Sequence, residues 1–291
     1  MPVVKTVTVG ASSRYTVQIA TIPKMADRSF GMIVDAPEPI VAERAMYFGN
    51  TPTRVWTGGH SSSGVTTPSK HWFHPDATGG FFDTFVLMSH PQDVDAHVTM
   101  EFILPSGEFV TRHKTIPAKT RLTINPETEG DPRLTDASLS TRVLSEVPIV
   151  SERSMYWIGD TDVAPWGEAH NSFGLVDSAA RQALAEGRIG GPLHYTTYIL
   201  LSNPWDAAAE GTATFLRENG APPIVKTCTV PATTRFNIDV GSMVPELEDE
   251  SFGAFIEVTN GYTITVERSV YWDANGVFWG GGTNAPATRI P

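Results

Sequence analysis

One short stretch of this chain combines residue types that bind metal ions. His71, His74 and Asp76 fall within the string His-Trp-Phe-His-Pro-Asp. Two imidazoles three residues apart and a nearby carboxylate can hold zinc on a helix or a tight loop. A metal-dependent hydrolase is therefore one function open to this chain. The signal is weak, because a later segment that aligns with this one carries different residues at the matching positions, namely Gln182, Ala185 and Gly187.

A second candidate is a glutamate next to an arginine, which occurs three times within similar surroundings. The pairs are Glu43-Arg44, Glu152-Arg153 and Glu267-Arg268. Strand alternation puts Arg153 on one face with Ile149, Met155 and Trp157, and Glu152 on the other. An arginine on an apolar face must be paired or stacked. Two roles are open: an architectural anchor bonded to a carboxylate or to loop carbonyls, or an anion clamp repeated in each copy.

A third motif follows each pair and begins with tryptophan. The first two copies have a histidine, His60 and His170, where the third has Thr283. If every copy worked alike, a catalytic base or metal ligand would not be replaced by threonine in the third copy. We therefore expect a structural role, in which the glycines turn the backbone and the His or Thr caps exposed carbonyls. Stacking of a sugar on exposed indoles is the functional alternative, with these candidate residues: Trp56, Trp166, Trp205 and Trp279.

Two further features, a recurring arginine and a single cysteine, are assigned to structure. A recurring arginine, Arg14, Arg121 or Arg235, alternates with apolar neighbours, and we expect it on a solvated strand face. Cys228 lies within a strand pattern and is expected to be a packed thiol. As the single cysteine, it allows no disulfide within the chain.

All these residues are positioned by a repeat with a period of about 110 residues, which is one small domain rather than a solenoid unit of roughly 20–50 residues. Alternating and β-branched runs separated by turn residues predict antiparallel β-sandwiches. We expect three domains: a partial repeat at 1–68 and complete repeats at 69–176 and 177–291. Residues 178–187 are the best candidate for a short helix, and 23–30 and 245–252 for helical turns between strands.

Composition narrows the function classes. The net charge is −11 at pH 7, which disfavours binding to nucleic acid, because that binding depends on cationic contacts to phosphate. It also disfavours adsorption on an anionic membrane. No apolar run approaches the ~18 residues of a membrane span, and the first residues lack the pattern of a signal peptide. The lack of an apolar run predicts no membrane insertion. If the protein acts at the cell surface, the lack of a signal peptide predicts that this chain is a fragment or that its start site lies inside a longer gene.

Several segments resemble a repeat found in large, uncharacterised bacterial surface or secreted proteins. Its pattern is roughly W-x-L-A-E-G, a glycine-rich turn, F-x-T-x-x-L-L-x-N-P and finally I-V-x-E-R-x-M-Y. Residues 71–91 and 182–204 match its start, and 40–47 and 149–156 match its end. The resemblance implies tandem immunoglobulin-like β-sandwiches and an extracellular or cell-surface location. It offers no catalytic residues to carry over, and we expect no cofactor.

The resulting expectation is an all-β, non-enzymatic structural or adhesive module of a bacterial surface assembly, with a carbohydrate-binding module as the alternative and a hydrolase as the third choice. The first copy begins at residues 3–10, which match the third strand of the other copies and are expected to form that strand, so its first two strands are expected to be missing. Either it completes a sheet with the middle copy, or it accepts strands from another chain. In the second case the chain self-associates, with 282–291 as a donor or linker.

Overall fold

The computed structural model describes residues 2–49, 56–157 and 166–291. The protein is almost entirely β, with several antiparallel sheets, which confirms the all-β prediction. The chain divides into one unit at Met1–Asp35 and a second at Ala36–Pro291. Within the described ranges, no helix is long and apolar enough to cross a membrane.

The second unit begins with a two-stranded antiparallel hairpin, called here the first hairpin. Its strands are β1 (Glu43–Phe48) and β2 (Gly58–Ser63). Their register places Arg44 opposite Ser62 and Met46 opposite His60.

The second repeat forms two sheets that share one long strand. Its strands are β3 (Ser69–Thr78), β4 (Phe82–Ser89), β5 (Ala96–Ile103), β6 (Phe109–Ile116), β7 (Arg121–Ile124), β8 (Ser138–Trp157) and β9 (Glu168–Phe173). The first half of β8 lies between β5 and β3, with β6 outside β5. The second half of β8 lies between β4 and β9, with β7 outside β4. Short 3-10 helices at Pro126–Thr128 and Pro132–Leu134 precede β8.

The third repeat has the same pairing and adds one short strand at its end. It comprises β10 (Arg181–Arg188), β11 (Thr196–Asn203), β12 (Ala209–Arg217), β13 (Ile224–Val230), β14 (Thr234–Asp239), the short helix α1 (Val240–Met243), β15 (Ser251–Val258), β16 (Thr265–Ala274), β17 (Val277–Pro286) and β18 (Thr288–Arg289). The sheet orders are β13-β12-β15-β10-β18 and β14-β11-β16-β17. Strands β15 and β16 match the two halves of β8, separated here by a turn at Gly261, whose φ is +85°.

Each repeat encloses its own apolar core. In the second repeat, Trp72, Met100 and Val143 from one sheet pack with Val86 and Ile124 from the other. The third repeat has an equivalent core, with Phe215 and Ile256 facing Leu201 and Val266. The alternation predicted for the second half of β8 is confirmed, since Ile149, Ser151, Arg153, Met155 and Trp157 are all buried.

The first unit keeps the turns of the repeat without its strands. Ser12 has a left-handed φ, as do its counterparts Lys119 and Thr233, and a 3-10 helix spans Ile19–Thr21. No strand occurs among residues 2–35, so the strand predicted at 3–10 is wrong. The topology gives the reason: segment 3–10 matches β6, which pairs with β5, and this chain has no counterpart of β3, β4 or β5 in its first copy. Three strands are therefore missing, not two.

Two local predictions also meet the structure. The helix expected at 178–187 is wrong, because Arg181–Arg188 is strand β10 and pairs with β15. Helix propensity is a weak prior that sheet pairing overrides. The helical turn expected at 245–252 is confirmed as a 3-10 helix at Pro245–Leu247.

Candidate functional site

The residues that the sequence singles out converge on the junction between the second and third repeats, called here the inter-repeat interface. Its centre is Arg153 on β8, which is completely buried. The guanidinium donates two parallel hydrogen bonds to Glu267 on β16, with Nη2–Oε1 at 2.8 Å and Nη1–Oε2 at 3.0 Å. Nη1 also donates to the carbonyl oxygen of Asp76 at 2.6 Å. A bidentate, charge-assisted pair of this kind is stronger than a hydrogen bond between neutral groups.

A second ion pair crosses the same interface, and here the second repeat supplies the carboxylate and the third repeat the arginine. Asp76 on β3 accepts from Arg235 on β14, with Nη2–Oδ1 at 3.1 Å. Arg235 also donates to the carbonyl oxygen of Leu139 at 3.1 Å. The second carboxylate oxygen of Asp76 lies 4.0 Å from Nη1 of Arg153. Two arginines and two carboxylates thus form a buried, neutral cluster, each repeat supplying one of each sign.

The solvated face predicted for the second arginine is wrong for Arg235, which is only 6% exposed. The alternation was correct, since Arg235 points away from the core of its own repeat. The outward face of β14 is covered by the second repeat, however, so water does not reach it. Arg121 at the matching position is half-buried and donates to Thr123.

The cluster sets the charge state of its members. Burial raises the pKa of Asp76, but the attraction of Arg235 and Arg153 outweighs it and the net direction is downward. Burial lowers the pKa of Arg153, and Glu267 and Asp76 more than reverse that effect. Both groups are therefore charged at neutral pH, as a closed buried network requires.

An aromatic layer lies beside the ion pairs. Phe82 and Trp157 of the second repeat contact Tyr271 of the third, and each ring centroid is 5.5–5.6 Å from that of Tyr271. Trp279 stacks on Tyr271 at 4.6 Å, and its carbonyl accepts a 2.7 Å hydrogen bond from the indole of Trp157. The interface therefore has the polar centre and apolar packing of a domain interior.

Two buried histidines lie near the cluster in their neutral forms; His170 contacts the third repeat, whereas His74 bonds within its own repeat. Nε2 of His170 lies 3.1 Å from the hydroxyl of Tyr271, and Nε2 of His74 lies 2.9 Å from the hydroxyl of Ser151. Burial, followed by repulsion from Arg153, lowers the pKa of each histidine to about 3. The capping role expected for His170 is replaced by this contact with the next repeat.

The first hairpin contacts the second repeat through residues at the equivalent positions. Arg44 pairs with Glu152 at 3.0 Å. Phe48 packs against Tyr156 with ring centroids 5.4 Å apart, and Nε2 of His60 lies 3.5 Å from the hydroxyl of Tyr156. Each contact matches one between the second and third repeats. The arginine of one repeat therefore pairs with the glutamate of the next.

The sequence identified the recurring glutamates and arginines, but it did not predict which residues they pair with. One signal was available: neighbouring residues of a strand point to opposite faces, so Glu152 and Arg153 cannot pair with each other. Each needed a partner on a different surface. If the arginine of each repeat pairs with the glutamate of the next, every repeat must carry both residues, and the sequence then shows a recurring Glu-Arg dipeptide.

The proposed metal residues do not converge. His71 is exposed, His74 is bonded to Ser151, and Asp76 is held by Arg235. No group of three or more His, Cys, Asp or Glu side chains in the described parts of the chain is arranged to hold a metal ion. The register of β3 and β10 also corrects the sequence alignment by one residue: His71, His74 and Asp76 match Arg181, Leu184 and Glu186.

The four candidate tryptophans lie in different surroundings. Trp279 belongs to the inter-repeat interface, and Trp166 packs on Tyr156 with centroids 4.8 Å apart. Trp205 is 44% exposed, and its indole donates to the carbonyl of Thr263 at 2.8 Å. Trp56 is 57% exposed and stacks on Tyr47 at 5.0 Å.

A groove of about 520 Å³ lies beside this last stack and includes His60 and Glu168. Burial raises the pKa of Glu168 to about 7. The groove is open to solvent and combines aromatic and carboxyl groups. Cys228 is half-buried on β13, and burial raises the pKa of its thiol.

No protein-family model and no curated protein matches this sequence. The crystal structure of Thermotoga maritima 1070 is similar over 38% of this chain and 96% of its own length, at 18% identity and a TM-score of 0.33. A calcium-binding mutant of Bacteroides uniformis beta-glucuronidase 2 aligns over 86% of this chain and 33% of its own length, at 10% identity and a TM-score of 0.17. Another Bacteroides uniformis beta-glucuronidase covers 72% of this chain, which spans 24% of that enzyme, at 12% identity and a TM-score of 0.16. These likenesses are too weak to carry an argument about fold or activity.

Proposed function

We propose that this chain is a non-enzymatic structural module of a bacterial extracellular or cell-surface assembly. In this proposal its immunoglobulin-like repeats are held in a fixed relative position by buried ion pairs. The observation that carries the proposal is the neutral cluster of Arg153, Glu267, Asp76 and Arg235 between consecutive repeats.

The burial of this cluster supports a structural role over a catalytic one. All four of its charged side chains are at most 6% exposed, so a substrate has no route to them. Every charge is met by an opposite one. Both terminal nitrogens of Arg153 donate to protein oxygens, and its Nε, which has no hydrogen-bond partner among the described residues, is buried as well.

The cellular location rests on different observations. The repeat resembles one in bacterial surface and secreted proteins. The single Cys228 excludes an intrachain disulfide framework, so the buried ion pairs and aromatic layer are what would stabilise the array outside the cell.

Calorimetry of the full chain tests the structural role. We expect the second and third repeats to unfold in one transition, because the interface couples them. Trp157→Ala removes the buried ring that touches Tyr271, and we expect it to split this transition into two. Trp205→Ala, at an exposed site of the third repeat, is the matched control and should leave one transition. Two independent transitions in the wild-type chain would contradict the proposal.

The open groove at Trp56 supports carbohydrate binding as a second candidate function. Its indole is stacked on Tyr47 and exposed, and Glu168 lies in the same groove. Sugar rings stack on such faces, and carboxyl groups accept their hydroxyl protons. A glycan array with wild-type protein should give a signal that Trp56→Ala loses and Trp205→Ala keeps. An array without any such signal would remove this candidate.

The hydrolase alternative receives no support from the position of its residues. His71 is exposed, while His74 and Asp76 are committed to Ser151 and Arg235. We do not propose it.

A further inference from the structure

The third repeat presents a surface that repeats the second repeat's half of the inter-repeat interface, and no described residue of this chain covers it as the third repeat covers the second. We propose that this surface, called the Arg268 face, docks a second copy of this chain through that copy's Glu43. The inference rests on the proposed structural function, because it extends the same interface between molecules.

Arg268 is the third member of the arginine series, and its bonding is incomplete. It is only 7% exposed. Nη2 pairs with Glu186 of its own repeat, whereas Nη1 has no hydrogen-bond partner among the described residues. Arg44 and Arg153 both form an ion pair with the glutamate of a following repeat, although each also has a buried nitrogen without a hydrogen-bond partner. What Arg268 lacks is the ion pair with a following glutamate. A buried guanidinium nitrogen without an acceptor is costly, and a glutamate placed as Glu267 is placed on Arg153 would remove that cost.

Glu186 also lacks the partner that its counterpart in the second repeat has. It occupies the position of Asp76, since both lie in a β-bulge opposite the matching strand. The Asp76 side chain is 4% exposed because Arg235 of the next repeat covers it, whereas that of Glu186 is 65% exposed. The contrast is what the loss of a neighbouring repeat would produce.

The Arg268 face also carries one half of an equivalent aromatic layer. Tyr195 and Trp272 have ring centroids 5.7 Å apart and match Phe82 and Trp157, which are 5.5 Å apart. The second repeat's pair is buried against the third repeat. Tyr195 and Trp272 are both partly exposed.

The complementary surface is present on the first hairpin. Glu43 and Tyr47 lie on β1 at the positions of Glu267 and Tyr271 on β16. Tyr47 stacks on Trp56 at 5.0 Å, as Tyr271 stacks on Trp279 at 4.6 Å. Glu43 and Tyr47 are exposed. The same chain thus carries both halves of one interface, and the contact between molecules is head to tail.

This contact differs from the strand donation expected from the sequence. Residues 282–291 lie largely in β17 and β18, which pair with β16 and β10 of their own repeat. That segment is therefore not free to act as a donor. The head-to-tail contact needs only side chains that are already in place.

Light scattering after size exclusion, over a concentration series of the full chain, tests the proposal. We expect wild-type protein to associate and the exposed-site variant Glu43→Ala to associate roughly 100-fold more weakly, as for loss of one partner of a buried interfacial charge pair. Arg268→Ala should do the same. Arg289→Ala removes an exposed arginine that pairs with Asp177, and this control should behave as wild type.

Mixing the two variants separates this pairing from general loss of structure. Glu43→Ala retains Arg268, and Arg268→Ala retains Glu43, so an equimolar mixture should form dimers that neither variant forms alone. A wild-type chain that stays monomeric, or a mixture that stays monomeric, would overturn the proposal. Those results would leave the calorimetric test of the proposed function unaffected, because that test concerns contacts within one molecule.

Discussion

Replacing Glu267 by glutamine is the most informative single change to the inter-repeat interface. The substitution keeps the shape of the side chain and removes its charge. Arg153 is fully buried and would keep only Asp76, which already holds Arg235. The cluster would change from neutral to one uncompensated positive charge in a region that water does not reach.

The expected cost follows from that burial. Removing one partner of a buried ion pair destabilises proteins by about 3–5 kcal/mol. We expect the lower part of this range, about 3 kcal/mol, since the amide oxygen of glutamine still accepts one hydrogen bond and the backbone carbonyl of Asp76 remains.

Urea unfolding followed by circular dichroism measures the change as a shift of the midpoint. The control is Glu246→Gln, which removes an exposed partner of Lys226. A surface pair of this kind contributes about 0–1 kcal/mol. A cost for Glu267→Gln no larger than that of Glu246→Gln would refute the reasoning.

Three further outcomes are expected from unfolding measurements. His170 has a folded-state pKa of about 3, well below the ordinary value of 6.5. The unfolded state therefore binds its proton first, and this contribution to stability is full above about pH 6.5 and declines as the pH falls. His170→Thr, which copies the third repeat, should reduce the loss between pH 6.5 and 5 by up to about 2 kcal/mol; an unchanged pH profile would contradict this. Gly282→Ala places a Cβ 2.8 Å from Tyr271 and 3.0 Å from Trp157, and overpacking of this kind costs about 1–3 kcal/mol. Gly241→Ala meets only ordinary contacts and is its control; equal stabilities would count against a tight interface. Asp76→Asn should cost about 3–5 kcal/mol, and a near-neutral result would show that its arginine partners are solvated.

The sequence predicted well what depends on one strand. Alternation placed Arg153 on the buried face of β8 and its neighbour Glu152 on the opposite face, and the structure confirms the burial. The need of a buried arginine for a carboxylate followed from desolvation. These are local properties of a strand, so the chain itself carries them.

What depends on packing between repeats was not predicted. Arg235 does point away from its own core, but the outward face of β14 is covered by the second repeat, and no property of residues 234–239 indicates this. Likewise, the pairing of Arg153 with Glu267 joins positions 114 residues apart. Only the three-dimensional arrangement of the repeats brings them together.

The first unit failed as a strand prediction for a different reason. Residues 3–10 have the composition of a strand, but a strand needs a neighbour to supply its hydrogen bonds. Their counterpart β6 pairs with β5, and the first copy has no such segment. Intrinsic β propensity is therefore insufficient to predict a sheet.

The claim that consecutive repeats are joined by ion pairs between an arginine and the next repeat's glutamate is tested most directly by a double-mutant cycle. The cycle compares the unfolding free energies of wild type, Arg153→Met, Glu267→Leu and the double variant. We predict that each single change costs about 3–5 kcal/mol and that the double variant is close to wild type, because apolar side chains can replace a buried ion pair. This corresponds to a coupling energy of well over 2 kcal/mol. Costs that add within about 0.5 kcal/mol would mean that the two residues act independently, and would contradict the account.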